Sequence, residues 1–384
     1  MIAQLQDTVD LLGQMVALPT VSAQSNLELA ALIATRLESA GARVEWVGND
    51  DGSKATIWAS LGAEERGGLL LSGHMDVVPV VDQTWQSDPF TMVERGGNFY
   101  GRGTCDMKGF IAATMAALPA LVQAAERRPI RFAFTYDEEV GCLGARQLVD
   151  LLRDREDRPD MAIIGEPTQM RVIEGNKGCC EYTTRFHGLA GHGSDPSRGV
   201  NAVEYAGRYL AKLMALKARL QARAPEGSRF EPPFTTINTG RLSGGVAHNV
   251  IPSQAELEWE MRPVTADDLA FVKEQMEDLV QGELLPEMRA VFAEADITTE
   301  TIGEVVGLEP TTENAARDLV ARLTGANGAD VVAFNTEAGL FQSLGMQAVL
   351  CGPGSIEQAH KADEFVALSQ LEACLDMLNG LATA

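Results

Sequence analysis

The sequence predicts an α/β fold, with a mostly parallel-sheet domain interrupted by an inserted ferredoxin-like α+β domain. Short apolar runs alternate with helical patterns in the first part of the chain. The order changes to β-α-β-β-α-β near residue 178, and strand–helix alternation resumes after about residue 304. A chain of 384 residues also exceeds a typical single domain. We predict a discontinuous domain over residues 1–177 and 303–384 and an inserted domain over residues 178–302.

The N-terminal elements are predicted from apolar spacing and helix-end signals. Residues 5–16 place apolar side chains on one helical face, and a second helix is expected between Asn26, as its N-cap, and Gly41. Further helices are expected to begin near residues 108 and 144. The predicted strands are residues 43–47, 55–60, 68–72, 130–136 and 161–164. Short apolar strands separated by helices are typical of a parallel sheet that is covered on both faces.

The inserted domain is predicted from a different pattern. Residues 179–186 alternate, a long helix is expected over residues 201–223, and Thr265 with Asp268 caps a later helix. The other predicted strands are residues 234–241, 250–262 and 288–298. The resulting order of elements is that of a ferredoxin-like sandwich.

Composition limits the classes of function. With 45% hydrophobic residues the chain can bury a full core, and its formal net charge is −23. Nucleic acid and anionic lipid both require a basic surface, so we expect neither as a partner.

The expected location is the cytoplasm. No stretch approaches the roughly 18 apolar residues that span a bilayer, and the first residues lack the basic and apolar regions of a signal peptide. The cysteines show no CxxC spacing, so free thiols are expected. They are Cys105, Cys142, Cys179, Cys180, Cys351 and Cys374. The sequence suggests no role for Cys105 or for the Cys179–Cys180 pair.

Histidine and acidic residues follow the predicted buried strands, and ligands of open α/β sheets bind outside the carboxyl ends of the strands. Asp106 can join them from a glycine-rich loop just before a helix. The residues at strand ends are His74 with Asp76, Asp137 to Glu139, Glu166 and His360. Taken singly, each has a simpler interpretation as a loop acid, a strand-end histidine or a helix cap. Together they favour a metal site.

Imidazole and carboxylate ligands suit zinc, cobalt or manganese. Several carboxylates clustered without a cation would be destabilised by mutual repulsion and desolvation. Two divalent cations balance that charge and can activate one shared water. A phosphoryl-transfer enzyme could also use two metals, but the sequence has no P-loop.

At these residues the chain resembles the M20 family of metallopeptidases and deacylases. The matching segments occur in the family's order at residues 72–79, 101–109, 137–139, 165–168 and 354–360. The resemblance implies two divalent ions, with Zn²⁺ preferred over Co²⁺ or Mn²⁺. It implies that His74 and Glu166 hold one ion, that Glu139 and His360 hold the other, and that Asp106 bridges them.

The resemblance also implies roles for residues that do not bind metal. Glu138 would be the general base, and Asp76 would hydrogen-bond the imidazole of His74 and orient it. The inserted segment resembles the family's lid, which implies a homodimer. His192 would donate to the oxyanion, and Asn249 and Arg262 would bind a substrate carboxylate. A turn histidine and a surface ion pair are the structural alternatives for His192 and Arg262.

Finer resemblance concerns the substrate. Residues 191–202, 335–338 and 352–364 look most like acetylornithine deacetylases, which implies removal of the acetyl group from N2-acetyl-L-ornithine in arginine biosynthesis. Ser355 is assigned to substrate binding. Glu337 could pair with the substrate ammonium or make a buried structural hydrogen bond. The alternatives are a succinyl-diaminopimelate desuccinylase, a broader N-acyl-amino-acid deacylase or carboxypeptidase, and a non-catalytic metal-binding homologue.

Overall fold

The computed structural model describes residues 2–22 and 24–384. The chain divides into two compact units. Unit 1 contains the residues up to Gly175 together with Pro310–Val331 and Thr336–Ala384. Unit 2 contains Asn176–Glu309 and Val332–Asn335.

The elements are numbered in chain order. The helices are α1 (Ile2–Val16), α2 (Leu27–Ser39), α3 (Lys108–Ala116), α4 (Leu118–Ala125), α5 (Leu143–Leu152), α6 (Ala202–Ala222), α7 (Ala266–Leu279), α8 (Leu285–Val291), α9 (Ala315–Thr324), α10 (Ala338–Ser343) and α11 (Leu368–Gly380). The strands are β1 (Arg43–Gly48), β2 (Ala55–Leu61), β3 (Leu69–His74), β4 (Val93–Arg95), β5 (Asn98–Tyr100), β6 (Ile130–Thr135), β7 (Met161–Pro167), β8 (Ile173–Asn176), β9 (Cys179–His187), β10 (Gly191–His192), β11 (Thr236–Gly244), β12 (Val250–Ile251), β13 (Gln254–Arg262), β14 (Asp296–Val305), β15 (Asp330–Val332), β16 (Gln347–Gly352) and β17 (Phe365–Ala367).

An eight-stranded mixed sheet is built in the order β1-β2-β6-β3-β7-β16-β8-β15. Strands β6, β3, β7 and β16 are mutually parallel, whereas β1, β2 and β8 pair in antiparallel fashion. Every residue of β3 and β6 is buried, which explains their continuous apolar runs. The predicted α/β fold is confirmed; the large sheet is mixed, and its parallel pairings lie at the centre.

Helix α3 lies in the core of unit 1, where it packs against α1 and α11. All its residues are buried, including Lys108. The ammonium of Lys108 donates to the carbonyls of Met15 at 3.0 Å and Leu18 at 2.9 Å. These bonds satisfy a buried cation and fix the loop before α3 to the end of α1.

No single helix in the described part of the chain is long and apolar enough to cross a membrane. Helices α3 and α4 reach that length and composition only when they are counted together across a 66° bend.

Gly165 of β7 allows α3 to pack directly on the sheet. A Cβ added at this position would overlap the ring of Phe110. Overpacking a close-packed core costs about 1–3 kcal/mol. We expect Gly165→Ala to lower the free energy of unfolding by about that amount, measured by urea titration.

Gly328 of the same unit is the matched control, because a Cβ there would meet nothing within 4 Å. Gly328→Ala should leave the free energy of unfolding unchanged or raise it slightly. Equal stability of the two variants would contradict the packing argument.

Unit 2 contains a four-stranded antiparallel sheet in the order β11-β13-β9-β14. With α6 after β9 and α7 after β13, this is the strand order of a ferredoxin-like sandwich. Its core lies between the sheet and these helices and includes Tyr209, Leu257 and Val272. Thr265 caps α7 as predicted, because its hydroxyl accepts from the amide of Asp268.

The prediction of a strand over residues 288–298 is wrong at its start. The chain continues from α7 through a π turn at Val280–Leu284 into α8, and β14 begins only at Asp296. Buried Leu284, Leu285 and Met288 extend the apolar face of the helix at helical spacing. The segment therefore continues the helix instead of starting a strand.

Asn26 occupies the N-cap position of α2, but its side chain does not cap the helix. Its amide donates to the carbonyl of Ala55 at 2.8 Å, and its Oδ1 accepts from the amide of Ala55 at 2.9 Å. The residue therefore ties the start of α2 to the start of β2.

Candidate metal centre and active site

The four parallel strands of unit 1 bring the predicted ligands to one edge of the sheet. Strand β3 ends at His74, which pairs in register with Thr135 at the end of β6. Residues 137–139 follow β6 directly, Glu166 lies near the end of β7, and His360 follows β16. Chain segments far apart in sequence thus converge because their strands are neighbours.

Asp106 reaches the same edge from the loop between β5 and α3. Strand β5 pairs with β17, with Tyr100 opposite Phe365. This pairing puts the loop of Asp106 beside the segment that carries His360. Asp106 is only 5% exposed.

The ligand atoms of His74, Asp106 and Glu139 all lie within 4.8 Å of one another. Nε2 of His74 is 3.0 Å from Oδ1 of Asp106. Nε2 of His360 is 3.4 Å from Oδ2 of Asp106 and 3.1 Å from the carboxylate of Glu139. The two oxygens of Asp106 therefore face two different histidines.

Crowding shifts the pKa values of the acids. Burial raises the pKa of Glu166 well above its ordinary value, and the charges of Asp106 and Glu138 raise it further. Burial also raises the pKa of Glu139, with the charge of Asp106 adding to the effect. Burial and neighbouring negative charge therefore both disfavour the ionised form of these two acids.

The pKa values of the two histidines are also raised. Hydrogen bonding to Asp106 and Glu139 raises the pKa of His360 to about 10. Burial opposes protonation of His74, yet its hydrogen bond to Asp106 and the nearby carboxylate of Asp76 raise its pKa well above the ordinary value. Burial likewise opposes ionisation of Asp106, but its bonds to His360 and His74 keep its pKa low.

The donor set fits divalent metal ions. His74, Asp106 and Glu139 converge, and His360 lies against both acids of this group. Glu166, near the end of the neighbouring strand β7, is outside the three-residue group, but the charge of Asp106 acts on it. Nitrogen and oxygen donors of this type suit zinc, cobalt or manganese. The structure thus contains a His/Asp/Glu site of the kind that holds metal.

Asp76 contacts both the imidazole of His74 and the acidic loop. Nδ1 of His74 lies 2.9 Å from the backbone carbonyl of Asp76 and 3.6 Å from its carboxylate. The carboxylate accepts instead from the amides of Glu138 at 3.0 Å and Glu139 at 3.3 Å, and from the hydroxyl of Ser22 at 2.8 Å. Asp76 therefore orients the imidazole with its backbone and holds the acidic loop with its side chain.

Glu138 is partly buried and directly precedes Glu139, one of the three clustered ligand residues. Burial raises its pKa to about 8, and the charges of Glu139 and Asp76 contribute in the same direction. A carboxylate with a pKa near neutrality can both accept and release a proton, as general acid–base chemistry requires.

Two supporting ion pairs were not expected from sequence. Arg102 donates to Glu364 at 2.7 Å, and both side chains are 1% exposed. The other carboxylate oxygen of Glu364 accepts from the amides of Cys105 at 2.9 Å and Asp106 at 3.1 Å. The one sequence signal for this ion pair is that Glu364 lies four residues after His360, directly before a strand.

The second pair joins Lys54 to Asp137, with Nζ 2.5 Å and 2.7 Å from the two carboxylate oxygens. It fixes the residue before Glu138 to the start of β2. Asp137 has a left-handed backbone, with φ of 53°. Nothing in the local sequence of Lys54 indicates this contact.

Glu337 is 1% exposed and both its oxygens are engaged. They accept from the hydroxyl of Ser72 at 2.5 Å and of Thr135 at 2.8 Å. Of the two interpretations of Glu337, these contacts match the buried structural hydrogen bond. Ser355 caps a short 3₁₀ turn before His360, with its hydroxyl accepting from the amide of Glu357 at 3.3 Å.

The predicted lid residues lie in unit 2. His192 and Asn249 are exposed, and Nδ1 of His192 is 2.7 Å from the hydroxyl of Ser194. The carbonyl of Asn249 accepts from the amide of Gly193 at 2.7 Å. Arg262 makes an ion pair with Glu260 at 2.9 Å. This contact matches the alternative interpretation of Arg262 as a residue of a surface ion pair.

Comparisons with known proteins decide the family. The model of peptidase family M20/M25/M40 matches residues 70–384. The chain belongs to the M20 family. The predicted resemblance is confirmed. As a member of this family, the chain is a hydrolase that acts on amide bonds.

Relatives of this M20 chain match along nearly its full length. It is 36% identical over 381 residues to the acetylornithine deacetylase of Proteus mirabilis (strain HI4320), covering 97% of this chain and 95% of the relative. It is also 36% identical over 377 residues to the acetylornithine deacetylase of Pasteurella multocida (strain Pm70), covering 96% and 95%.

Solved structures share the fold. An M20 family metallo-carboxypeptidase from Sulfolobus solfataricus has a TM-score of 0.72 at 16% identity, covering 98% of each chain. A dinuclear metal-binding peptidase of the M20 family from Bacillus subtilis has a TM-score of 0.64 at 18% identity, covering 99% of this chain and 98% of that chain.

Proposed function

We propose that this chain is a di-metal deacetylase that releases acetate and ornithine from N2-acetyl-L-ornithine. Support for the substrate comes from the 36% identity to proteins named acetylornithine deacetylase over nearly the whole chain. Support for the chemistry comes from the His/Asp/Glu cluster.

The observation that carries the two-metal assignment is the position of Asp106, whose oxygens face His74 at 3.0 Å and His360 at 3.4 Å. We assign His74 and Glu166 to one ion, Glu139 and His360 to the other, and Asp106 to both. Zn²⁺ is the proposed metal, with Co²⁺ or Mn²⁺ as alternatives of the same ligand chemistry.

When bound, two divalent ions would polarise the amide carbonyl of the substrate and lower the pKa of a water molecule. Glu138 takes a proton from the attacking water and then delivers it to the nitrogen of the leaving amine. Asp76 supports this exchange because its carboxylate holds the backbone amides of Glu138 and Glu139. Water attack breaks the C–N bond, so acetate and the free amine are the products.

Substrate contacts are assigned to unit 2 and to the turn before His360. His192 is proposed as the donor to the developing oxyanion, while Asn249 and Arg262 are proposed to bind the substrate carboxylate. For Arg262 this requires its guanidinium to leave or share Glu260. Ser355 remains a proposed contact in the turn before His360.

The biological setting is proposed on the same basis. Acetate release from acetylornithine would place the enzyme in arginine biosynthesis, in the cytoplasm. Six free cysteines suit a reducing compartment. A homodimer formed through the inserted domain is proposed from the family resemblance.

The deciding experiment assays one sample of metal-loaded protein with N-acetylornithine and succinyl-diaminopimelate side by side, with metal analysis of the same sample. We expect kcat/KM to be at least about tenfold higher for N-acetylornithine, which corresponds to about 1.4 kcal/mol of transition-state stabilisation. N-Acetylmethionine serves as the test of a broader deacylase.

A preference for the succinyl substrate would replace the proposed substrate with the desuccinylase alternative. Similar turnover of both acetyl amino acids would indicate a broad deacylase. Fully metallated protein that leaves all three compounds intact would favour a non-catalytic metal-binding homologue.

A further inference from the structure

The turn that follows the acidic loop directs a cysteine at Glu138. The carbonyl of Glu138 accepts from the amides of Gly141 at 3.1 Å and Cys142 at 3.0 Å. Next, the amide of Leu143 donates to the carbonyl of Asp137 at 3.0 Å. This tight turn brings Sγ of Cys142 to 3.4 Å from Oε1 of Glu138.

Cys142 adopts an uncommon backbone conformation to make this contact. Its φ is 54° and its ψ is 40°, which is the left-handed region. A non-glycine residue there costs roughly 1–2 kcal/mol, and glycine is the usual occupant. Strain of this kind persists where the surrounding structure imposes it, and it concentrates at functional sites.

Toward Glu138 the thiol of Cys142 is the donor. Its side chain is fully buried, and burial raises its pKa well above 9, with the charges of Glu138 and Glu337 adding to the effect. The S–H group therefore keeps its proton beside a carboxylate. A thiol is a weak donor, so it can fix the direction of a carboxylate with little stabilisation of its charge.

We propose that Cys142 is a positioning residue for the general base. Its thiol donates to Oε1 of Glu138 and holds that carboxylate in one orientation, with Oε2 as the oxygen that exchanges the proton. The inference rests on the proposed role of Glu138 and extends it to the residue that orients it.

The test compares Cys142→Gly, which removes the donor and relieves the left-handed strain, with Cys142→Ser, which keeps a donor. We expect Cys142→Gly to lower kcat about fivefold, the effect of losing one hydrogen bond worth about 1 kcal/mol, with KM within about twofold. Cys142→Ser should recover at least half of that loss on a logarithmic scale. Metal content and melting temperature are measured for every variant.

The glycine variant separates positioning from stability. If Cys142 is only structural, removal of strain should leave kcat at the wild-type value when the protein is folded and metallated. Cys374→Ala is the matched control, because Cys374 is buried in α11 of the same unit and should leave kcat unchanged.

A spectroscopic measurement tests the contact without turnover. In metal-free protein, the infrared difference spectrum between wild type and Cys142→Ser isolates the S–H stretch of Cys142. We expect a band at the lower frequency of a hydrogen-bonded thiol, and we expect it to move higher in Glu138→Ala. A band that Glu138→Ala leaves in place would overturn the proposal.

The outcomes also separate this inference from the proposed function. If Glu138→Gln retains normal turnover, the general base is misassigned and the inference falls with it. A second set of outcomes overturns only the role of Cys142, with Glu138→Gln inactive as expected. In that set, Cys142→Gly and Cys142→Ser either both have the wild-type kcat or show the same decrease in kcat.

Discussion

Replacing Glu138 with Gln is expected to lower kcat by about a hundredfold to ten-thousandfold, the usual contribution of general acid–base catalysis. Glutamine keeps the shape of the side chain but cannot accept the proton from water. The backbone amide of residue 138 would still donate to Asp76, so the loop should keep its conformation. Steady-state kinetics with N-acetylornithine and metal analysis measure both effects.

The variant should keep its metal content and its melting temperature, because Glu138 is not assigned as a ligand. Glu126→Gln is the matched control, since Glu126 is an exposed acid at the end of α4 and should retain full activity. Comparable turnover in Glu138→Gln and wild type would refute Glu138 as the base.

Removing Glu364 is expected to have the largest effect on stability. Glu364→Ala leaves the guanidinium of Arg102 buried without a negative charge beside it, because its other acceptors, Gln83 and the carbonyl of Lys361, are neutral. Arg102 cannot relieve this by losing its proton. Breaking one side of a buried ion pair costs about 3–5 kcal/mol. We expect a loss of that size in the free energy of unfolding, measured by urea titration.

The same substitution should weaken metal binding, because the amides of Cys105 and Asp106 lose their acceptor. Glu287→Ala is the control: it breaks an exposed ion pair with Arg208 and should leave both stability and metal content close to wild type. Loss of Glu364 without a change in either measurement would mean that the pair does not hold the loop.

The sequence predicted the fold wherever one element has one dominant pattern. Buried strands such as β3 and β6 are short continuous apolar runs, and the polar residues after them are visible at once. Residues 288–298 were harder because apolar residues in a short stretch fit both a strand and the end of a helix. The π turn that extends α7 into α8 depends on packing that local spacing does not specify.

The candidate site was likewise predictable only in part from the sequence. His74 and Glu139 could be named from their positions after strands and Asp106 from its glycine-rich loop before a helix, and the structure brings the three together. The carboxylate of Asp76 bonds backbone amides that belong to a segment more than sixty residues away in the sequence. Partners of this kind follow from strand order and cannot be inferred from side-chain type.

Strand β16 joins the sheet beside β7 only after unit 2 and helices α9 and α10 have been synthesised. While the nascent polypeptide emerges from the ribosome, this edge of β7 therefore stays unpaired until β16 has been synthesised. Closing so long a loop delays pairing, and an uncovered strand edge invites aggregation. Because His360 follows the same segment, a complete ligand set can form only after residue 360 has emerged.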